Sequence, residues 1–160
     1  MNLHIRAVCD DDVEDLVRLS LSAWTPIFSS FEQILGPEIY AILYPDWRKT
    51  QREGVEGVCK DGDETVVWVA TVDDVVVGFV AYKLQENETG EVCLLAVDPE
   101  YQNRGIGTEL NEFALAKMRE SGIKMAVVGT GGDPSHAPAR RSYEKAGYTA
   151  LPLVRYFQAL

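Results

Sequence analysis

Residues 91–107, EVCLLAVDPEYQNRGIG, constrain this chain more than any other stretch. Glu91, Val92, Cys93, Leu94, Leu95, Ala96 and Val97 make a nearly continuous apolar run, bounded by Gly90 and by Asp98-Pro99. Such a run suits a strand in the middle of a sheet, covered on both faces. From Gly105 onward, Ile106, Leu110, Phe113, Ala114 and Met118 recur at spacings of three to four, which predicts an amphipathic helix over 105–121. Gly122 supplies its left-handed stop. Between strand and helix lies Gln102-Asn103-Arg104-Gly105-Ile106-Gly107-Thr108. Two glycines without Cβ let an anion approach the free N–H groups of a helix start, where the helix dipole also favours negative charge. The stretch therefore reads as a place to hold phosphate.

The rest of the chain builds around that unit. Residues 3–8 read as a first strand, and Asp10-Asp11-Asp12 can cap a helix carrying Val13, Leu16, Val17, Ser20 and Trp24 on one side. Pro26 is expected to end that helix. Ser29-Ser30-Phe31-Glu32 has the form of a capping box for a short second helix stopped at Gly36. Pro37 opens a third through Ile39, Ile42 and Leu43, closed by Pro45, and a fourth starts at Asp46 with Trp47, Gln51, Val55 and Val58-Cys59 aligned. The aromatic residues of this region, Trp24, Phe28, Phe31, Tyr40, Tyr44 and Trp47, read either as core packing or as the roof of a substrate cleft. Then the period changes. Residues 65–72 and 75–83 form a hairpin about Asp73-Asp74, and residues 87–90 turn the chain into the central strand. A strand over 124–128, a loop over 129–134, a helix over 137–146 stopped by Gly147, and a last strand over 148–158 complete the order. The expectation is an α/β (α+β) fold: one mixed, mostly antiparallel, twisted sheet flanked by helices, in a single domain over residues 1–160.

Composition excludes several classes. A formal net charge of −10 argues against nucleic acid as the main partner, since phosphate binding needs clustered Lys and Arg. Three scattered cysteines, Cys9, Cys59 and Cys93, with no C-x-x-C spacing, and only two histidines, His4 and His136, predict neither a disulfide framework nor a metal site. Cys93 is expected to be a small buried hydrophobe. No apolar run is long enough to span a bilayer, and the first residues lack the apolar core of a signal peptide, so a cytoplasmic protein is the expectation.

At this point the sequence resembles the GNAT family of acetyl-coenzyme A-dependent N-acetyltransferases. Gln102-Asn103-Arg104-Gly105-Ile106-Gly107, approached through Val97-Asp98-Pro99-Glu100-Tyr101, is similar to the family's pyrophosphate loop. Residues 139–148, with Tyr143-Glu144-Lys145-Ala146-Gly147-Tyr148, resemble its second signature, and two motifs in proper context make a specific signal. The resemblance implies acetyl-CoA as co-substrate. It implies that the backbone around Leu95, Ala96 and Val97 bonds the pantetheine arm and that N–H groups from Gln102, Asn103, Arg104, Gly105, Ile106, Gly107 and Thr108 hold the pyrophosphate. It implies that Tyr143 protonates the departing thiolate. Where many members carry a cofactor-bonding asparagine, this chain has His136, a departure from the pattern. The loop over 131–134 is longer than in the simplest members and is available to the substrate mouth.

Amine acetylation needs a neutral nitrogen, yet an alkylamine with a pKa near 10.4 is neutral only about once in a few thousand molecules at pH 7. Glu91 is the first candidate to take the proton, six residues before Val97, where several family members place a glutamate base; simple alternation puts Glu91, Cys93, Leu95 and Val97 on one face. Its other reading is the cap of a solvated strand end. His136 is a second candidate base, and Tyr143 reads otherwise as a core aromatic. The expected activity is transfer of acetyl to a primary amine, of a small molecule or a peptide, by direct attack in a ternary complex. The alternative is a non-catalytic acetyl-CoA sensor or interaction module. A homodimer through the aromatic-rich helices or the last strand completes the expected partners.

Overall fold

The computed structural model describes every residue except Asp61 and Asp63. Five strands form one sheet in the order β1 (Leu3–Ala7), β2 (Thr65–Val72), β3 (Val75–Gln85), β4 (Thr89–Val97) and β5 (Met125–Val128). The first four are antiparallel neighbours and β5 runs parallel to β4. The two hairpin turns follow from their residues: Asp73 and Asp74, and Asn87 and Glu88, all take positive φ, the twist that lets tight turns match the strands. Helix α3 (Ile106–Glu120) covers one face, burying Ile106, Leu110, Ala114 and Met118 against Val77, Val80, Tyr82, Val92 and Val97. Helices α1 (Val13–Leu43) and α2 (Trp47–Lys60) cover the other, with Leu16, Val17, Leu19 and Val55 against Val67, Val69, Phe79 and Ala96. Helix α4 (Ala137–Lys145) follows β5 and packs beside α3. No helix among the described residues is long and apolar enough to cross a membrane.

The first helical region departs from expectation. Pro26 does not end a helix: α1 runs through it. Proline removes one N–H, the donor to the Ser22 carbonyl, but Ser22 and Pro26 both lie on the exposed side, where water can replace it. The Ser29–Glu32 capping box is likewise not a helix start; those residues sit inside α1 and Ser30 points elsewhere. The break comes at Gly36, whose φ of 79° and ψ of 162° no other residue adopts easily, and Pro37 restarts the helix as its fixed φ favours. Helix α2 persists through Gly54 and Gly57, with the Asp46 carboxylate accepting from the Lys49 N–H at its start.

Two further corrections concern β4 and the chain end. The register of β3 with β4 passes from Ala81↔Leu94 to Tyr82↔Val92, which leaves Cys93 as a bulged residue. The bulge resets the alternation, so Val92, Leu95 and Val97 belong to the α3 face while Leu94 and Ala96 belong to the α1 face. Glu91, next to Val92, therefore does not share a face with Leu95 and Val97. Cys93 is exposed rather than buried, for the same reason. The last strand over 148–158 is absent. Residues 149–160 pair with no strand, and Leu151, Leu153, Val154 and Tyr156 are 74–91% exposed. Pro152 lacks an N–H for a ladder, and the strand-like alternation here is not matched by any pairing among the described residues.

Candidate active site

The end of β4 is built to leave polar backbone free. Strand β5 pairs with β4 only from Thr89 to Val92, and from Cys93 onward the edge of β4 facing β5 has no partner strand among the described residues. The unpaired stretch contains Leu95, Ala96 and Val97. An extended ligand arm laid along it would meet unused N–H and C=O groups, as an added strand would. Asp98 then accepts from the Glu100 N–H and starts a short turn over Pro99–Tyr101. Gln102 does more than offer its N–H: its side-chain Nε2 donates to the Val97 carbonyl at 3.0 Å, folding the loop back on the strand.

Beyond that tie the backbone turns sharply, with φ at 62° for Asn103 and 84° for Gly105. The first intrahelical bond of α3 runs from Glu109 N–H to the Gly105 carbonyl at 3.0 Å. The N–H groups of Ile106, Gly107 and Thr108 lie before it, and no side chain caps them. A Cβ added at Gly107 would stand 3.7 Å from Val97 Cγ2 and 3.9 Å from Leu95 Cδ2, so position 107 looks directly onto the open end of β4. Ile106 is buried and pins the helix start, while Arg104 bends back to the Glu100 carbonyl at 3.0 Å and over the Tyr101 ring. These residues fit a pyrophosphate followed by an extended arm.

Tyr143 stands half-buried on α4, its ring edge-on to Tyr148 at 5.6 Å. Burial, and secondarily Tyr148, push its phenol up to about 12, so it holds its proton at neutral pH. His136 ends the turn that leads into α4. Seven residues, about two helical turns, separate it from Tyr143, which places the two on one side of that segment. His136 Nδ1 lies 2.5 Å from Asp133 Oδ1, and the Phe31 ring of α1 stacks on the imidazole at 5.7 Å. The other oxygen of Asp133 accepts from Ser135 Oγ and from Ser30 Oγ, the latter at 2.9 Å. Although burial opposes it, these hydroxyl and imidazole bonds hold the Asp133 carboxyl down at about 2. Glu91 is placed apart from this cluster: its carboxylate accepts from Gln85 Nε2 at 2.7 Å, at the other end of β4.

The aromatic region packs on itself, as the first of its two readings expects. Phe28 stacks on buried Trp47 at 4.4 Å, and Phe31 in turn stacks on Tyr44 and reaches His136. The packing thus continues as far as His136.

Residues 24–148 match the acetyltransferase (GNAT) family. An uncharacterized N-acetyltransferase of Archaeoglobus fulgidus is 30% identical over 150 residues, which cover 88% of this chain and 89% of the relative. The chain belongs to the GNAT acetyltransferase family. The mycothiol acetyltransferase of Thermomonospora curvata is 32% identical over 97 residues, but the match takes in 61% of this chain and only 32% of that protein. The chain thus spans about a third of the length of such relatives. Its fold is that of the PaiA N-acetyltransferase of Thermoplasma acidophilum, solved with coenzyme A, at a TM-score of 0.75 and 20% identity over 93% of this chain and 91% of the other. Three residues of the His136 cluster carried no role of their own in the sequence reading: Asp133 and Gly131, taken only as part of the 131–134 loop, and Ser30, taken as part of a capping box. The Asp133–His136 spacing was a readable signal. The bond from Ser30, 103 residues away, was not.

Proposed function

We propose that this acetyltransferase moves acetyl from acetyl-CoA to a primary amine by direct attack in a ternary complex. The observation that carries the reading is the meeting, at the end of β4, of an unpaired strand edge with three uncapped N–H groups of α3. Bound acetyl-CoA supplies the acetyl group as a thioester, already activated for acyl transfer. The N–H groups of Ile106, Gly107 and Thr108, with the loop from Gln102 to Gly105, hold the pyrophosphate, and the backbone of Leu95, Ala96 and Val97 aligns the arm. A strand N–H there is placed to stabilise charge gathering on the carbonyl oxygen. Tyr143 Oη holds the proton that the leaving sulfur needs. Glu91 stands as one candidate for the amine proton, with one carboxylate oxygen already engaged by Gln85.

Thiol release from acetyl-CoA, measured with a panel of polyamines, amino acids, aminoglycosides and peptide N-termini, tests the reading. Turnover with at least one class is expected. Coenzyme A binding without turnover on any amine would favour a sensor, and no binding at all would remove the donor assignment. We further take residues 1–160 to act as one catalytic domain, in the cytoplasm, and to pair as a homodimer. The exposed apolar segment over 151–157 and the open edge of β5 support the pairing. Truncation after Ala150 is expected to halve the particle mass in light scattering; an unchanged mass would reject that surface.

A further inference from the structure

We propose that His136 and Asp133 form the proton-accepting dyad of this enzyme, with His136 Nε2 taking the proton of the acceptor ammonium. The inference rests on the acetyl-transfer reading and adds a catalytic residue to it, with Asp133, Ser30 and Gly131 as positioning residues. Asp133 Oδ1 engages Nδ1 at 2.5 Å, which fixes the neutral ring as the Nδ1–H tautomer and leaves a lone pair on Nε2. No hydrogen-bond partner for Nε2 exists among the described residues. The ring is held rather than loose: its side chain is 13% exposed and its face is covered by Phe31.

The support behind Asp133 is equally specific. Ser30 and Ser135 donate to its second oxygen, so the carboxylate stays ionised and turned toward the ring. Arg140 Nη1 donates to the carbonyls of Gly131 and Asp133 at 2.6 and 2.8 Å and clamps the loop. Position 131 must be glycine, because a Cβ there would stand 2.5 Å from both Asp133 Oδ1 and His136 Nδ1. The arrangement is not a serine nucleophile triad: Ser135 lies on the Nδ1 side with Asp133, and no hydroxyl among the described residues bonds to Nε2. His136 lies on the same side of its segment as Tyr143, about two helical turns away, whereas the Glu91 carboxylate is bound to Gln85 at the far end of the strand.

The step balances simply. The N–H bond of the ammonium breaks, its electron pair stays on nitrogen as the attacking lone pair, and the proton forms a bond to Nε2. The imidazolium, stabilised by Asp133, returns that proton to water, and the second proton lost from nitrogen as the amide forms restores, through solvent, the one that Tyr143 gave to the sulfur.

Two measurements test the dyad. The chain has only two histidines, so nitrogen-15 spectra of the ligand-free protein resolve His136. Its neutral form is expected to show a bare Nε2 and a protonated Nδ1, and Asp133→Asn, whose amide donates to Nδ1, is expected to reverse the tautomer. In turnover, an alkylamine that the wild type accepts is compared with its β,β,β-trifluorinated analogue, whose three electron-withdrawing fluorines make it largely neutral at pH 7. His136→Gln and Asp133→Asn are expected to lose about 100-fold with the alkylamine and less than about 5-fold with the analogue. Coenzyme A affinity serves as the check on folding. Equal losses on both amines, or an Nε2–H tautomer in the wild type, would overturn the dyad while acetyl transfer stood. A wild type that acetylates no amine would overturn both.

Discussion

Gly107→Glu is expected to weaken coenzyme A binding by about 10³-fold, on the order of 4 kcal/mol, while leaving the protein folded. The fold tolerates a side chain there, because the nearest atoms to an added Cβ, on Val97 and Leu95, lie at ordinary contact distance. What changes is the charge at the mouth of the cradle. Ile106, Gly107 and Thr108 present N–H groups with no intrahelical acceptor, and the helix end adds partial positive charge. A carboxylate at position 107 competes for those donors and repels the pyrophosphate. Gly107→Ala separates volume from charge, with a loss below about tenfold, since a methyl repels no anion. Titration calorimetry with coenzyme A at two salt concentrations reads both variants. If Gly107→Glu binds as the wild type does, the start of α3 is not the phosphate site.

The strand, turn and helix of that stretch were legible because everything in them is local. A buried run, a turn, two glycines and a periodic helix lie within about thirty residues, and each element dictates its own geometry. The hairpin turns were legible for the same reason, since pairs of Asp or Asn beside strand residues choose their backbone angles themselves. What failed depended on partners distant in sequence. Ser30 looks like a cap from its neighbours, yet its hydroxyl serves Asp133 across 103 residues. Pro26 looks like a stop, yet an exposed face lets a helix absorb it. The bulge at Cys93 is set by the register of β3 against β4, which no reading of β4 alone contains, and it moved Glu91 to the other face. The bonding round His136 was not legible: Gly131 and Asp133 read only as part of a loop, and neither the carboxylate on Nδ1 nor the Phe31 ring above it follows from local sequence.

Tyr143→Phe is expected to lower kcat by about 10² to 10³-fold with coenzyme A affinity unchanged. The substitution removes one oxygen and keeps the ring that meets Tyr148 edge-on, so the packing of α4 survives. The loss belongs to the proton. Burial, with a smaller push from Tyr148, raises the phenol to about 12, and the folded enzyme therefore keeps this donor loaded throughout the neutral range. Proton donation from so weak an acid is favourable only toward a sulfur as poorly solvated as the phenol itself. The sign of the linked stability effect follows. An unfolded chain loses this proton near 10, whereas the native state keeps it to about 12. Between those values the unfolded state binds fewer protons, so Tyr143 lowers stability as pH rises. Tyr143→Phe is expected to be less alkali-sensitive than the wild type in that window, by denaturant melts, while being the slower enzyme at pH 7. A wild-type kcat for the variant would end the donor assignment. A loss confined to coenzyme A affinity would instead make Tyr143 a binding residue, and the kcat measured at saturating acetyl-CoA separates the two.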